Sequence, residues 1–166
     1  MDVKSLDRTT EFYIHQLPNF FSEELRKLDR YYSTSFINGY IKKRDEDYFR
    51  KMLNQNSKGI FLGLEETNLV GVLEYSSHKD GNLQIGDVLW LLSRIKKNGI
   101  GSKLLEFCLE DFKSRNLDIA ALTVSEANLN AISLYEKKGF RYIRNRGDNS
   151  AIYAQALNDK GKEIVK

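Results

Sequence analysis

The most informative segment of the chain is Lys96–Lys103, which reads KKNGIGSK. It joins a predicted strand, Leu83–Leu92, to a predicted amphipathic helix whose apolar face begins at Ile100. The first backbone N–H groups of a helix have no intrahelical acceptor, and the helix dipole is positive at that end. Glycines allow the backbone to approach a phosphate without a clashing side chain. The segment therefore predicts a site for a phosphate or a pyrophosphate.

The spacing of Gly99 and Gly101 matches neither of the two common phosphate motifs. A P-loop has two glycines five positions apart, followed by Lys and Ser or Thr, and a dinucleotide fingerprint has three glycines. A plain turn in front of a helix is the structural alternative. An anion site is favoured by a basic cluster without any acid, formed by Arg94, Lys96, Lys97 and Lys103.

A second informative block is Val124–Phe140, which reads VSEANLNAISLYEKKGF. Asn128 is a suitable N-cap for a helix that Gly139 ends. Tyr135 follows Asn128 by about two helical turns, so both residues lie on one face of that helix. Without further information, a tyrosine on an apolar face is core filler.

Taken together, the two blocks resemble the GNAT superfamily of N-acetyltransferases. The family signature is Arg or Gln, two residues, Gly, one residue, and Gly or Ala, and Lys96, Gly99 and Gly101 take these positions. Lys96 keeps the charge but not the guanidinium geometry, and Ser93 replaces a proline that is frequent in the family. The second block matches the family's positions at Asn128, Ala131, Tyr135, Gly139 and Phe140.

The resemblance implies acetyl-CoA as co-substrate and no metal. The segment Leu89–Leu92 stands where the family pairs its splayed fourth strand with the pantetheine arm. The implied cofactor-binding residues are Leu89, Trp90, Leu91, Leu92, Lys96, Lys97, Asn98, Gly99, Ile100, Gly101, Ser102, Lys103, Asn128, Ala131 and Tyr135.

The resemblance also implies direct attack of a primary amine on the thioester in a ternary complex. An alkylamine has a pKa of about 10.4, so a base must first remove its proton. Tyr135 is the candidate acid for the departing thiolate, and a backbone N–H near Leu91 is the candidate donor to the oxyanion. The candidate bases are Asp87, then Glu74, with Glu126 third. Asp87 and Glu74 have an alternative interpretation as ordinary solvated or paired carboxylates.

The predicted element order is β-α-α-β-β-β-α-β-α-β-β, a mixed α/β fold. We expect one domain over residues 1–157 and a frayed polar tail over 158–166. The resemblance adds a mostly antiparallel twisted sheet with splayed fourth and fifth strands and helices on both faces. In the N-terminal part, we expect a strand at Phe12–Leu17 and helices at Ser22–Ser35 and Asp45–Leu53.

Composition excludes several classes of protein. The 166 residues are 41% hydrophobic and 30% charged, Cys108 is the only cysteine, and neither a membrane-spanning run nor an export signal is visible. We therefore expect a cytoplasmic protein. The net charge of +3 argues against a nucleic-acid partner. No membrane partner is expected, and a homodimer is left open.

The acceptor amine is less well defined by the sequence. An aromatic and acidic cleft in the N-terminal half would suit a cationic amine through cation–π and ion-pair contacts. A helix core with a charged outer face is the alternative, and both a small-molecule amine and a protein amine stay open. Two rival functions are an acyl-CoA-binding sensor without catalysis and a nucleic-acid-binding module. The residues in question are Tyr31, Tyr32, Phe36, Tyr40, Tyr48 and Phe49, with Glu23, Glu24, Asp45, Glu46 and Asp47.

Overall fold

The computed structural model describes residues 1–96 and 98–166, so Lys97 of the predicted phosphate segment lies outside the described residues. A short 3₁₀ helix, Glu11–His15, follows the first strand. The strands are β1 (Asp2–Ser5), β2 (Lys58–Glu65), β3 (Asn68–Asp80), β4 (Leu83–Ser93), β5 (Ile119–Ser125), β6 (Arg141–Asn145) and β7 (Ser150–Ala156). The helices are α1 (Leu17–Arg26), α2 (Thr34–Lys43), α3 (Glu46–Met52), α4 (Ile100–Ser114), α5 (Leu129–Lys137) and α6 (Asp159–Lys162).

The strands are hydrogen-bonded in the order β1-β2-β3-β4-β5-β7-β6. The β1/β2, β5/β7 and β6/β7 pairs are antiparallel, whereas β4 and β5 are parallel. The parallel ladder joins Ile85–Val88 to Ile119–Leu122, while β4 continues to Ser93 and β5 to Ser125. The predicted mixed α/β fold with a mostly antiparallel sheet is confirmed, and the parallel β4/β5 pair is an observation of the structure.

The chain divides into two compact units. The first unit comprises Met1–Glu74 and Trp90–Leu104, and the second comprises Tyr75–Leu89 and Leu105–Lys166. Since β3, β4 and α4 each contribute residues to both units, the unit boundaries cut through elements rather than loops.

The core of the first unit lies between β2, β3 and the helices α1 to α3. Phe20, Phe21 and Phe49 are fully buried there. Successive residues of β3 face opposite sides of the sheet, as expected of a regular strand. A Cβ on Gly71 would meet Ile100 of α4, whereas Val72 belongs to the core that α1 to α3 cover. Helices therefore cover both faces of the strands in this unit.

In the second unit, α4 packs closely on β3 and β4. Phe112 is fully buried and meets Tyr75 edge to face, with ring centroids 5.8 Å apart. A Cβ on Gly86 would lie 2.4 Å from the Phe112 ring, so the glycine allows this close approach. Cys108 is buried, as its place on the apolar face predicted.

The predicted strand Phe12–Leu17 is wrong. Its first residues form the 3₁₀ helix, and Leu17 begins α1 with Pro18 in the first turn. Proline is favoured there because the first N–H groups of a helix have no acceptor in any case. The true helical stripe is Leu17, Phe20, Phe21 and Leu25, all buried at helical spacing.

The predicted helix Ser22–Ser35 is also wrong in its bounds. Ser22 lies inside α1, and the helical conformation is interrupted between α1 and α2. Ser33 caps α2, because its hydroxyl accepts the Phe36 N–H at 3.1 Å. α2 itself was absent from the predicted order. The predicted helix Asp45–Leu53 is confirmed as α3, with Asp45 as its N-cap.

The C-terminal residues are not simply frayed, which corrects the expectation for the tail. Asn158 caps α6 by accepting the Gly161 N–H at 2.9 Å. The Asp118 carboxylate accepts from the Asn158 amide at 2.9 Å and from the Gln84 N–H at 2.7 Å. The end at residue 157 stays a prediction for the domain boundary. Among the described residues, none of the helices has the length and apolarity that a bilayer crossing requires.

Candidate functional site

The predicted phosphate segment lies in the first unit, where the chain passes from β4 to α4. Gly99 has a φ of +73°, a conformation that L side chains rarely adopt. Its carbonyl accepts the Lys103 N–H at 3.0 Å, which is the first helical bond of α4. A Cβ on Gly99 would meet none of the described residues within 4 Å. The space before the helix is therefore open, and the turn requires glycine because of its backbone conformation rather than crowding.

The basic cluster around this turn is smaller than the sequence predicted. Lys96 and Lys103 are exposed beside the turn. Arg94 instead forms an ion pair with Glu23 of α1 at 3.0 Å, and its guanidinium lies 4.7 Å from the ring centroid of Phe20. Arg94 thus holds α1 against the end of β4, which leaves the lysines as the cations of the turn.

The two ends of β4 lie in different units and have different neighbours. Gly86 faces α4, as its approach to Phe112 shows. Trp90 packs edge-on against Tyr40 of α2, with centroids 5.2 Å apart, on the face that α1 to α3 cover. Leu91 and Leu92 follow Trp90 in the part of β4 that belongs to the first unit.

Helix α5 in the second unit has the caps that the sequence predicted. The Asn128 side chain accepts the Ala131 N–H at 3.3 Å, and Gly139 ends the helix with a φ of +96°. Tyr135 is buried, and its ring lies 5.9 Å from that of Phe140 at a steep angle. The confirmed part is the helix and its caps, whereas the roles of Asn128 and Tyr135 toward a cofactor stay predictions.

The first candidate base, Asp87, is half-buried in the second unit. Its Oδ2 lies 2.8 Å from Nδ1 of His78. Burial raises the pKa of Asp87 above its usual value, and the neighbouring His78 opposes that shift. A carboxylate with a raised pKa is a stronger base, and a half-buried one is accessible to water.

The second candidate base, Glu74, has a different environment in the first unit. It is fully buried, and Arg44 donates to both carboxylate oxygens, from Nε to Oε1 at 3.2 Å and from Nη2 to Oε2 at 2.6 Å. The Tyr48 hydroxyl donates to Oε1 at 3.1 Å. Burial and the carboxylate of Glu74 raise the pKa of Tyr48, so this hydroxyl stays protonated. Glu74 therefore has three donors and no exposed surface.

The third candidate base, Glu126, is exposed and accepts from the Asn145 amide at 2.6 Å. In the first unit, four of the five acids expected in an acidic cleft also have partners. Glu23 pairs with Arg94, and Glu24 accepts from Lys27 at 2.8 Å. Glu46 lies 2.9 Å from His15. Asp45 caps α3, so the acidic side of that predicted cleft is largely engaged in holding the helices.

Three of the six aromatic residues expected in that cleft come together, whereas Phe49 is fully buried in the core. Tyr32 stacks on Phe36 with centroids 4.9 Å apart, and Phe36 lies 4.8 Å from Tyr40. Trp90 meets both Tyr32 and Tyr40 edge-on. An aromatic cluster thus connects α2 to the end of β4 within the first unit.

Comparison with known proteins agrees with this geometry. Residues 25–140 match the acetyltransferase (GNAT) family. The chain belongs to this family. An uncharacterized N-acetyltransferase of Archaeoglobus fulgidus is 27% identical over 117 residues, which cover 67% of this chain and 80% of that protein.

Solved structures share the GNAT fold with this chain. The PaiA N-acetyltransferase of Thermoplasma acidophilum, in complex with coenzyme A, gives a TM-score of 0.78 at 18% identity, over 94% of this chain and 99% of its own. An aminoglycoside 6′-acetyltransferase type Ii gives 0.71 at 17% identity, over 95% and 98%. At these identities the likeness shows the fold.

Sequence reasoning on this GNAT protein missed two partners of its candidate bases. No role was assigned to His78 from the sequence, although a two-residue turn at Gly81-Asn82 sets Asp80 opposite Leu83 and His78 diagonal to Asp87. That register was therefore a usable signal. No signal in the sequence indicated the pairing of Arg44 with Glu74, because α2 was not predicted and Arg44 lies directly after it.

Proposed function

We propose that this protein is an N-acetyltransferase that moves the acetyl group of acetyl-CoA to a primary amine by direct attack in a ternary complex. The proposal rests on one observation: in this GNAT family member, an open turn at Gly99, flanked by lysines, precedes α4. We place the protein in the cytoplasm, in agreement with its single, buried cysteine.

The turn fits the phosphates of acetyl-CoA. The backbone at Gly99 and Gly101 would approach the pyrophosphate, since the N–H groups that begin α4 and the helix dipole both favour an anion. Lys96 and Lys103 would add charge. The end of β4 would present backbone groups near Leu91, one to the pantetheine arm and the Leu91 N–H to the carbonyl oxygen.

Proton transfers would be divided between two residues of the second unit. Asp87, with its raised pKa, would accept the amine proton, directly or through water. The amine nitrogen would then attack the thioester carbonyl carbon, the C–S bond would break, and the Tyr135 hydroxyl would protonate the departing sulfur. The nitrogen would lose its surplus proton, through water, to the Tyr135 phenolate, which restores the hydroxyl. Asn128 would contact the cofactor with the side chain that caps α5. The three donors to Glu74 support a structural role for that residue.

The first experiment measures acetyl-CoA turnover over a panel of primary amines, through the released thiol. We expect Tyr135→Phe to lower kcat by about a hundredfold or more, because the thiolate then leaves without its acid, while acetyl-CoA affinity is preserved. Tyr142→Phe is the matched control, since Tyr142 is exposed on β6. An acyl-CoA sensor without catalysis predicts no turnover in the unsubstituted protein.

The second experiment tests the phosphate turn by titrating acetyl-CoA. We expect Gly101→Asp to abolish binding, because it places a side chain and a negative charge beside the phosphates. Gly81→Asp, in the β3–β4 turn, makes the same change elsewhere and should bind normally. Normal affinity in Gly101→Asp would move the site elsewhere. Salt-sensitive binding of a duplex without acetyl-CoA binding would favour the nucleic-acid alternative.

A further inference from the structure

A surface groove of about 410 Å³ opens in the first unit between α2, α3 and the start of β2. Phe36, Tyr40 and Lys43 of α2 form one wall, Tyr48 and Lys58 form the other, and the Arg44 side chain lies buried at the base. The volume is within the range of small-molecule sites, which is about 300 to 1,000 Å³.

The groove carries positive charge. Lys43 and Lys58 are exposed, and within the described part of the chain neither takes part in an ion pair. None of the described residues that line the groove is acidic. The charge of Arg44 is already matched by Glu74 at 2.6 Å. Two unmatched ammonium groups at the rim favour an anion over a cation.

The aromatic walls provide the apolar side of the site. The exposed fraction of Phe36 is 41%, and its ring lies 4.8 Å from that of Tyr40. Tyr40 also meets Trp90 of β4 at 5.2 Å. The groove is thus joined by direct ring contact to the β4 segment that we propose for the thioester end of acetyl-CoA.

We propose that this groove binds the acceptor, and that the acceptor is a small primary amine with an anionic oxygen group, a carboxylate or a phosphate. Lys43 and Lys58 hold the anionic oxygens, and the rings of Phe36 and Tyr40 cover the carbon skeleton. The amino group then points toward the Trp90 end. This inference rests on the proposed acetyl transfer. It replaces the cationic acceptor that an acidic cleft would suit, since four of the five acids of that region have other partners.

The test compares amines that differ only in the anionic group. The pairs are phenylalanine with phenethylamine, tryptophan with tryptamine, and O-phosphoethanolamine with ethanolamine, the last pair distinguishing phosphate from carboxylate. KM and kcat are measured for the unsubstituted protein and for Lys43→Glu, Lys58→Glu and Lys58→Gln. Lys42→Glu is the matched control, because Lys42 is exposed in the same helix turn but does not line the groove.

We expect the anionic member of at least one pair to have the higher kcat/KM. Its KM should rise about tenfold in Lys43→Glu and Lys58→Glu and less in Lys58→Gln, whereas Lys42→Glu changes little. The KM of the partner amine without the anion should fall or stay constant. Acetyl-CoA affinity should be equal in all variants, and a thermal unfolding curve confirms that each variant folds.

The possible contrary results distinguish a failure of this inference from a failure of the proposed acetyl transfer. Turnover that prefers the amines without an anion, or that responds equally to Lys42→Glu and Lys58→Glu, overturns the anionic acceptor and leaves acetyl transfer in place. Acetylation of a peptide N-terminus in preference to every small amine does the same. Acetyl-CoA binding without turnover of any small amine or peptide overturns the proposed function, and the inference with it.

Discussion

Glu74 in the first unit and Asp87 in the second are carboxylates on consecutive strands, and both are candidate bases, yet their surroundings differ. Glu74 is fully buried and receives three hydrogen bonds from Arg44 and Tyr48. Asp87 keeps 26% of its side-chain surface exposed and faces His78. A carboxylate whose lone pairs are occupied holds structure, whereas one that is partly desolvated and singly paired is suited to proton transfer.

The largest expected effect is on stability, at Glu74. Glu74→Ala leaves the guanidinium of Arg44 buried without a carboxylate, so the free energy of unfolding should fall by about 3–5 kcal/mol. The measurement is urea denaturation followed by circular dichroism. The double variant Arg44→Met with Glu74→Leu removes both charges and should recover most of the loss, because an apolar pair of similar volume needs no desolvation of ions.

One result would reverse the roles assigned to Glu74 and Asp87. If Glu74→Gln kept its stability but lost the acid limb of its pH–rate profile, Glu74 would be the base and the ion pair would be catalytic. The stability data and the pH profile are therefore collected on the same preparations.

The second prediction concerns Asp87→Asn. Turnover should fall by about a hundredfold, since the base is lost, while Asp80→Asn at the end of β3 serves as the control. Because burial raises the folded-state pKa of Asp87, this group stabilises the fold at low pH and loses that contribution as the pH rises through its folded pKa. At pH 7, Asp87→Asn should therefore be as stable as the unsubstituted protein, or slightly more so. A large loss of stability with unchanged turnover would contradict the prediction.

The C-terminal half of the fold was predictable because its helices and strands end at capping and turn residues that can be identified in the sequence. Asn128 and Gly139 cap α5, and Gly81 with a φ of +60° turns the β3–β4 hairpin. Each of these positions requires a particular residue type, so the cap or turn can be predicted from the sequence. The site motifs share this property, since Gly99 is required by its backbone conformation.

The N-terminal third was harder for a physical reason. Its 3₁₀ helix, α1 and α2 are short and hold together through packing, so the apolar pattern around Tyr13 and Leu17 fits a strand as well as a helix. The Arg44–Glu74 pair joins residues far apart in sequence and depends on α2, which includes Gly39 and the β-branched Ile37 and Ile41. Tertiary contacts of this kind leave no local pattern.

A smaller effect is expected at Asp118, which has the opposite pKa shift from Asp87. Hydrogen bonds from the Gln84 N–H and the Asn158 amide, with Lys160 nearby, lower the pKa of Asp118. Its stabilising contribution is therefore present above its unfolded pKa, about 3.9, and is lost as the pH falls through the lower folded value. The unsubstituted protein should lose more stability between pH 6 and pH 3 than Asp118→Asn does. Equal losses would mean that the carboxylate does not hold α6 against β4.

The smallest expected effect concerns His78 and distinguishes its role from that of Asp87. His78 lowers the pKa of Asp87 against the larger influence of burial, so His78→Ala should let that pKa rise further. The acid limb of the kcat/KM profile should move upward by about half a pH unit, the size typical of an exposed pair, while kcat on the plateau and the free energy of unfolding change little. His15→Ala is the control, because His15 is also exposed and also faces a carboxylate, Glu46. If the limb vanished in His78→Ala but persisted in Asp87→Asn, the imidazole would be the group that removes the amine proton, and Asp87 would orient it.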